Sequence, residues 1–285
     1  MSNEPHDKHP VAIGGVGGSG TRVVANILRG LGYYVGSDLN HANDNTWFTL
    51  LFKRVEFFNV NALDPEFQSA VRVFTKAMTG RNDITPAEKQ SIISLAVNNR
   101  LDHDRRWLAD RVKTLLGRFE ENSAHINCWG WKEPNTHVFL PSLLESLPRL
   151  KYIHVMRNGL DIALSKNQNQ MKNWGQCFLP ADKFEISPRF SLKYWCVVQK
   201  RITNLAQQHP NRVLILNFDE LSERPEDGVQ RMCHFLQTSS DNHTINNICL
   251  DIHRPDSIGR FRRVDIRNFD SEDVAYVANL GFDIK

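Results

Sequence analysis

The 285-residue sequence predicts an α/β fold with a central parallel sheet and a helical insertion. Three observations carry that expectation. Apolar runs of strand length recur at 11–13, 126–132, 151–156 and 213–218. Each is followed by a segment of helical period, the alternation that builds a parallel sheet. From 46 to 120, by contrast, the helical period continues with no strand signal, so this stretch reads as an insertion beside the sheet.

The first unit of the alternation is the most informative. Residues 11–13 read as a buried strand, and a helix begins near Gly20 and carries an apolar stripe to Leu31. Between them lie Gly14, Gly15, Gly17, Gly18 and Gly20. Glycines free the backbone to curl and to present consecutive N–H groups. Those groups sit at the positive end of a helix, which makes a cradle for phosphate or sulfate. Thr21 and Arg22 add a hydroxyl and a guanidinium in the first turn. Gly15 and Gly20 have the spacing of the nucleotide-binding pattern Gly-x4-Gly-Lys-Ser/Thr, yet Thr21 follows directly and the lysine is absent. A tight strand-to-helix turn without a ligand is the plain alternative, but it needs fewer glycines.

Further along, Gly30-Leu-Gly32 ends the helix and 33–36 reads as a short strand. The polar segment 37–45 leaves its end and should border the site, because open α/β sheets bind ligands at the carboxyl ends of strands. Helical patterns follow around Trp47 and at 65–78, 86–98 and 107–119. The strand at 126–132 delivers Lys132 and Glu133 before Pro134, and a helix covers 135–147. After the strand at 151–156, the turn 157–161 leads into a helix expected to carry Ser165 two turns on. A long helix spans 187–209, the last clear strand is 213–218, and Pro225 opens a helix to Leu236. The segment 167–175, rich in amides and containing Trp174, is expected to line an acceptor site or to be an exposed loop.

Composition bounds the function classes. Hydrophobic content of 41% and charged content of 24% are those of a soluble globular protein. A net charge of +3 is too small to argue for nucleic acid by bulk attraction. The five cysteines are widely spaced and match no zinc pattern, so they read as reduced thiols of a cytoplasmic protein. No run approaches the length of a membrane span, and no metal site is expected. The expected organisation is one domain over 1–285, with the insertion at about 46–125 and a disordered tail at 1–9.

Taken together, the loop from Gly14 to Arg22, Trp131-Lys-Glu-Pro134, Arg157 with Ser165 eight residues on, Val213 to Leu221, and Ser257-Ile-Gly-Arg260 resemble the sulfotransferases that use 3′-phosphoadenosine 5′-phosphosulfate (PAPS). The resemblance implies a P-loop-like three-layer fold and in-line transfer of a sulfuryl group to a hydroxyl or amine acceptor, a small molecule or glycan. It implies that Gly17, Gly18, Ser19, Gly20, Thr21 and Arg22 hold the 5′-phosphosulfate. It further implies that Arg157 and Ser165 clamp the 3′-phosphate, with Ser257, Gly259 and Arg260 closing over it. The plain alternative for Arg157 is a surface ion pair with Asp161, four residues on.

One departure matters. Many sulfotransferases carry a lysine where this sequence has Gly18. A cation is still needed, because charge builds on the oxygen between sulfur and the departing phosphate. Lys132 is the leading substitute and Arg22 the second. Transfer to a hydroxyl also wants a base. By its distance from Thr21, Asp38 stands where related branches place a glutamate, and His41, Asp44, Glu133 and His137 compete with it. Two other functions fit the loop: a P-loop kinase of a small metabolite, and a protein that binds adenosine 3′,5′-bisphosphate without catalysis. The basic stretch 254–267 also admits a nucleic-acid patch, but few aromatics interleave its charges. The acceptor and the oligomeric state are not legible.

Overall fold

In the computed structural model of the chain, residues 9–97, 102–122, 124–180 and 184–285 are described. Apart from His9, the tail expected at 1–9 lies outside them, as does the end of the helix expected at 86–98. The elements run β1 (Val11–Gly14), α1 (Thr21–Gly30), α2 (Thr46–Phe52), α3 (Pro65–Thr79), α4 (Pro86–Ser94), α5 (Arg105–Arg118), β2 (Gly130–Lys132), α6 (Thr136–Ser146) and β3 (Lys151–Met156). There follow α7 (Gly159–Ala163), α8 (Asn169–Phe178), α9 (Pro188–Gln208), β4 (Val213–Asn217), α10 (Phe218–Glu223), α11 (Pro225–Leu236), α12 (Asn242–Leu250) and α13 (Ser271–Asn279). The strands form one parallel sheet in the order β2-β1-β3-β4. The α/β class with a central parallel sheet is therefore as the sequence predicts. Because β1 has β2 on one side and β3 on the other, the strand order reverses there, and the turns after β1 and β3 are the ones a ligand would meet.

The chain divides into two compact units, one of Met1–Ile13 with Leu28–Tyr152 and one of Gly14–Ile27 with Ile153–Lys285. In the first, β1 pairs with β2 in the register Val11–Gly130, Ala12–Trp131 and Ile13–Lys132. The helices α2 to α5 lie between Thr46 and Arg118, with no strand among the described residues of that stretch. Their aromatic faces bury against β2: Trp131 stacks on Phe48 at 5.4 Å and meets Phe74 edge-on at 5.2 Å, while Phe52 meets Phe67 edge-on at 5.6 Å. Each such ring contributes about 1.5–3 kcal/mol by leaving water. Local signals set the helix ends. Asp64 caps α3 through the Glu66 and Phe67 amides, and Thr85 with Glu88 forms a reciprocal capping box on α4.

The strand β3 is buried along its length, and His154, in the second unit, is fully enclosed and hydrogen-bonded to Gln199 of α9 at 3.1 Å. Burial lowers the pKa of His154 to about 3, against a smaller opposing effect of Gln199. None of the chain's five cysteines is in a disulfide. Among the described residues no helix is long and apolar enough to cross a membrane.

Three local expectations are corrected. The strand expected at 33–36 shrinks to a single parallel bridge between Tyr34 and Trp129, and on the opposite side the Asn45 side-chain amide donates to the Val35 carbonyl. The helix after Arg157 ends at Ala163, so Ser165 lies past its end and not two turns along it. There the Gln168 amide takes the carbonyls of Ile162, Ala163 and Ser165, which a continuing helix would need. The segment 167–175 is mostly the start of α8, and its Trp174 is wholly buried, so the ring belongs to the core and is no acceptor surface.

Candidate functional site

The glycine turn after β1 is drawn tight by the Ser19 amide on the Val16 carbonyl at 3.1 Å. Gly18 and Gly20 both take positive φ, 89° and 93°. At Gly20 a Cβ would lie 2.3 Å from the Phe218 ring of α10, so both backbone angle and space require glycine. Above Gly17 and Gly18 the nearest neighbours of an added Cβ stand at 3.5 Å or more, leaving these two positions open to close approach. Ser19 is buried, and its Oγ has no hydrogen-bond partner. Thr21 is buried at the start of α1, while Arg22 is exposed on the same turn. Gln170 of α8 steadies the turn, its Nε2 donating to the Gly15 carbonyl at 3.0 Å.

Arg157 leaves the end of β3 directly beside this turn. Its Nη1 donates to the Gly18 carbonyl at 3.4 Å and its Nη2 to Ser257 Oγ at 3.0 Å. Ser165 reaches the same place, its Oγ 3.7 Å from where a Gly18 Cβ would be. Its Oγ also accepts the Asn167 amide at 3.3 Å. Three segments far apart in sequence therefore meet around Gly18. The ion pair with Asp161 is long, 3.9 Å, and Asp161 is instead occupied by the Gly259 and Phe261 amides at 2.8 and 3.1 Å.

The guanidinium of Arg157 is buried, and its Nε has no hydrogen bond although Asp219 Oδ1 stands 3.7 Å away, itself unpartnered. Burial lowers the pKa of Arg157, opposed by Asp219 and then Asp161, with Arg260 reinforcing the fall. Burial likewise raises that of Asp219, opposed by Arg157. The buried guanidinium thus lies within ion-pair range of the Asp161 and Asp219 carboxylates, while its hydrogen bonds run to a carbonyl and a hydroxyl. Arg260 Nε donates to the Ser257 carbonyl at 3.2 Å and shapes the same segment.

A second cluster belongs to the other unit. Lys132, at the end of β2 and only 2% exposed, donates to the Ala42 carbonyl at 3.0 Å and pairs with Asp44. Asp44 also accepts the Asn40 side chain at 2.8 Å. Asp38 has both carboxyl oxygens engaged, by Arg111 and Thr114 of α5. Glu133 is buried and accepts the backbone and side-chain amides of Asn135 at 2.6 and 2.7 Å. Its burial, and then the charge of Asp44, raise its pKa to about 7 against the pull of Lys53 and Lys132. His137 is buried on α6, and His41 is exposed.

Sequence reasoning misses the residues that hold the others in place. Periodicity makes Asp161 a rival partner for Arg157, and nothing in the local pattern marks it as the anchor of a segment near residue 260. Composition suggests acceptor-side amides at Gln168 and Gln170, while the structure has them tying down Ser165 and the glycine turn.

Comparison with known proteins gives the chain's family and fold. A family model described as the sulfotransferase family matches residues 10–242, most of the chain, and the protein belongs to that family. Among solved structures it is similar to the sulfotransferase domain of the Synechococcus PCC 7002 olefin synthase, at 14% identity and a TM-score of 0.50 over 100% of this chain and 99% of that one. It is similar also to the sulfotransferase domain from the curacin biosynthetic pathway, at 15% identity and TM-score 0.50, covering 98% and 99% of the two chains. Sulfotransferase STF9 from Mycobacterium avium matches at 13% identity and TM-score 0.50, over 98% of this chain and 78% of that one. At such identities the likeness is one of fold. No curated protein sequence matches the chain. Family and fold together support an enzyme that transfers a sulfuryl group.

Proposed function

We propose that the protein is a PAPS-dependent sulfotransferase acting on a hydroxyl or amine of a small-molecule or glycan acceptor, and that it forms one functional domain in the cytoplasm. The observation that carries the reading is Arg157, a buried guanidinium shared between the Gly18 carbonyl and Ser257. In this reading the amides of Gly17 to Thr21, with the orphaned Ser19 hydroxyl, bind the 5′-phosphosulfate. Arg157, Ser165, Ser257 and Arg260 bind the 3′-phosphate, while Gly259, expected from the sequence to join them, has its one donor, the backbone amide, on Asp161. Bound there, PAPS supplies an activated sulfuryl group. The protein's own work is to hold the donor in line with the acceptor oxygen and to balance the charge that develops on the leaving phosphate. Lys132 and Arg22 are proposed for that balance and Asp38 for taking the acceptor's proton, with Glu133 as the alternative base.

Binding tests the donor. Adenosine 3′,5′-bisphosphate should raise the melting temperature far more than ATP with Mg²⁺, and Arg157→Ala should abolish that difference. Equal shifts would point to a small-metabolite kinase instead. The engagement of Lys132 by Asp44 and Ala42 favours one further reading, a bisphosphate-binding protein without transfer. Transfer from radiolabelled PAPS by the wild type separates the two, and where it occurs Lys132→Ala should lower turnover about a hundredfold or more while bisphosphate affinity holds. If turnover is unchanged, the balancing cation is Arg22 or another group.

A further inference from the structure

We propose that Asp161 is a positioning residue that fastens the segment 257–263 onto the Arg157 end of the cradle and so sets the affinity for the 3′-phosphate. The proposal rests on the donor reading above and adds to it a residue that touches no ligand. Asp161 is 1% exposed and lies on the short helix α7. Oδ2 accepts the Gly259 amide at 2.8 Å and Oδ1 the Phe261 amide at 3.1 Å, contacts that reach across 98 and 100 residues of sequence. Both amides belong to the turn that carries Ser257 to Arg157 Nη2. Gly259 has φ 81°, so the chain reverses at the point where the first amide is caught. The two bonds flank Arg260, whose Nε in turn holds the Ser257 carbonyl.

The outer side of the segment is held differently. Arg262 pairs with Asp283 and donates to the Lys285 carbonyl at 2.8 Å, and the Asn158 side chain donates to the Asp283 carbonyl at 2.8 Å. Arg262 and Asp283 are exposed, and water competes for their bonds. Asp161 is the buried anchor, and an amide bond to a buried carboxyl oxygen is the stronger kind. Loosening it should free Ser257 and Arg260 together, while the glycine turn keeps its own bonds to Gln170 and Arg157.

The test exploits that separation. Asp161→Asn keeps the shape and one acceptor oxygen but replaces the other with a donor facing an N–H. Calorimetric affinities are measured for adenosine 3′,5′-bisphosphate and for adenosine 5′-monophosphate, which differ only in the 3′-phosphate. The wild-type preference for the bisphosphate should shrink by about tenfold or more in the variant, with the monophosphate affinity unchanged. An undiminished preference, or an equal loss for both ligands, overturns the proposal. No preference in the wild type overturns the donor reading and this proposal with it. Should Asp161→Asn fail to fold, amide exchange in the wild type decides: slow exchange at Gly259 and Phe261 in the ligand-free protein supports the anchor, and rapid exchange at both overturns it.

Discussion

Arg157 and Lys132 show what can and cannot be read of a single residue. Arg157 sits in a local pattern, a strand end followed by a turn with a serine eight residues on, and in the structure its Nη1 meets the Gly18 carbonyl with Ser165 near the same glycine. Lys132 is equally easy to single out, at a strand end before Glu-Pro. Its partner Asp44 is 88 residues away, in a loop whose course follows from the Asn40–Asp44 and Asn45–Lys132 backbone bonds. No spacing rule reaches that far. Asp161 is the same case in reverse: an i,i+4 neighbour of Arg157 that periodicity pairs with it, and that two amides from the far end of the chain claim instead.

Among elements, those set by local chemistry are legible. Pro65, Pro86, Pro188 and Pro225 each open a helix within a residue of where the sequence suggests. What the sequence does not disclose is where a side chain intercepts the backbone, as Gln168 does at the end of α7 and Asn45 does beside Tyr34. The glycine turn is the element on which the site depends most, and Gly20 tests it. Gly20→Ala must accept a Cβ against Phe218 at positive φ, and it should cost about 1–3 kcal/mol in denaturant unfolding. Bisphosphate binding should weaken with it. A variant as stable as the wild type would mean that α10 yields easily and that the turn is less constrained than its geometry implies.

For the molecule as a whole, two buried ionisable groups pull stability in opposite directions with pH. His154 has its pKa lowered from 6.5 to about 3, so between those values the unfolded chain binds the extra proton and stability falls as pH falls, by about 1.4 kcal/mol per unit at most. Glu133 has its pKa raised from 4.5 to about 7, so its contribution is present below pH 4.5 and is lost as pH rises through 7. Melting curves across pH 4 to 8, a range chosen to span roughly both windows, should show His154→Leu flattening the acid limb and Glu133→Gln raising stability near neutrality relative to pH 4.5. Parallel curves for all three proteins would mean that neither group titrates as its burial implies. The sheet and its parallel sense are legible at this scale because strand runs and helical runs alternate. The division of β1 and β3 between two compact units is not, since it depends on contacts and no composition shift marks it.

Gln168 and Gln170 stand two residues apart on the approach to α8, and between them they fix Ser165 and the Gly15 carbonyl with neutral amides. Bonds of that kind carry no charge for salt to screen and no proton to lose. The glycine turn and the turn at Ser165 are therefore held by the fold itself, and the nucleotide proposed to bind there would meet them in place. Little freedom remains for the ligand to freeze out, and most of its contact energy can appear as affinity.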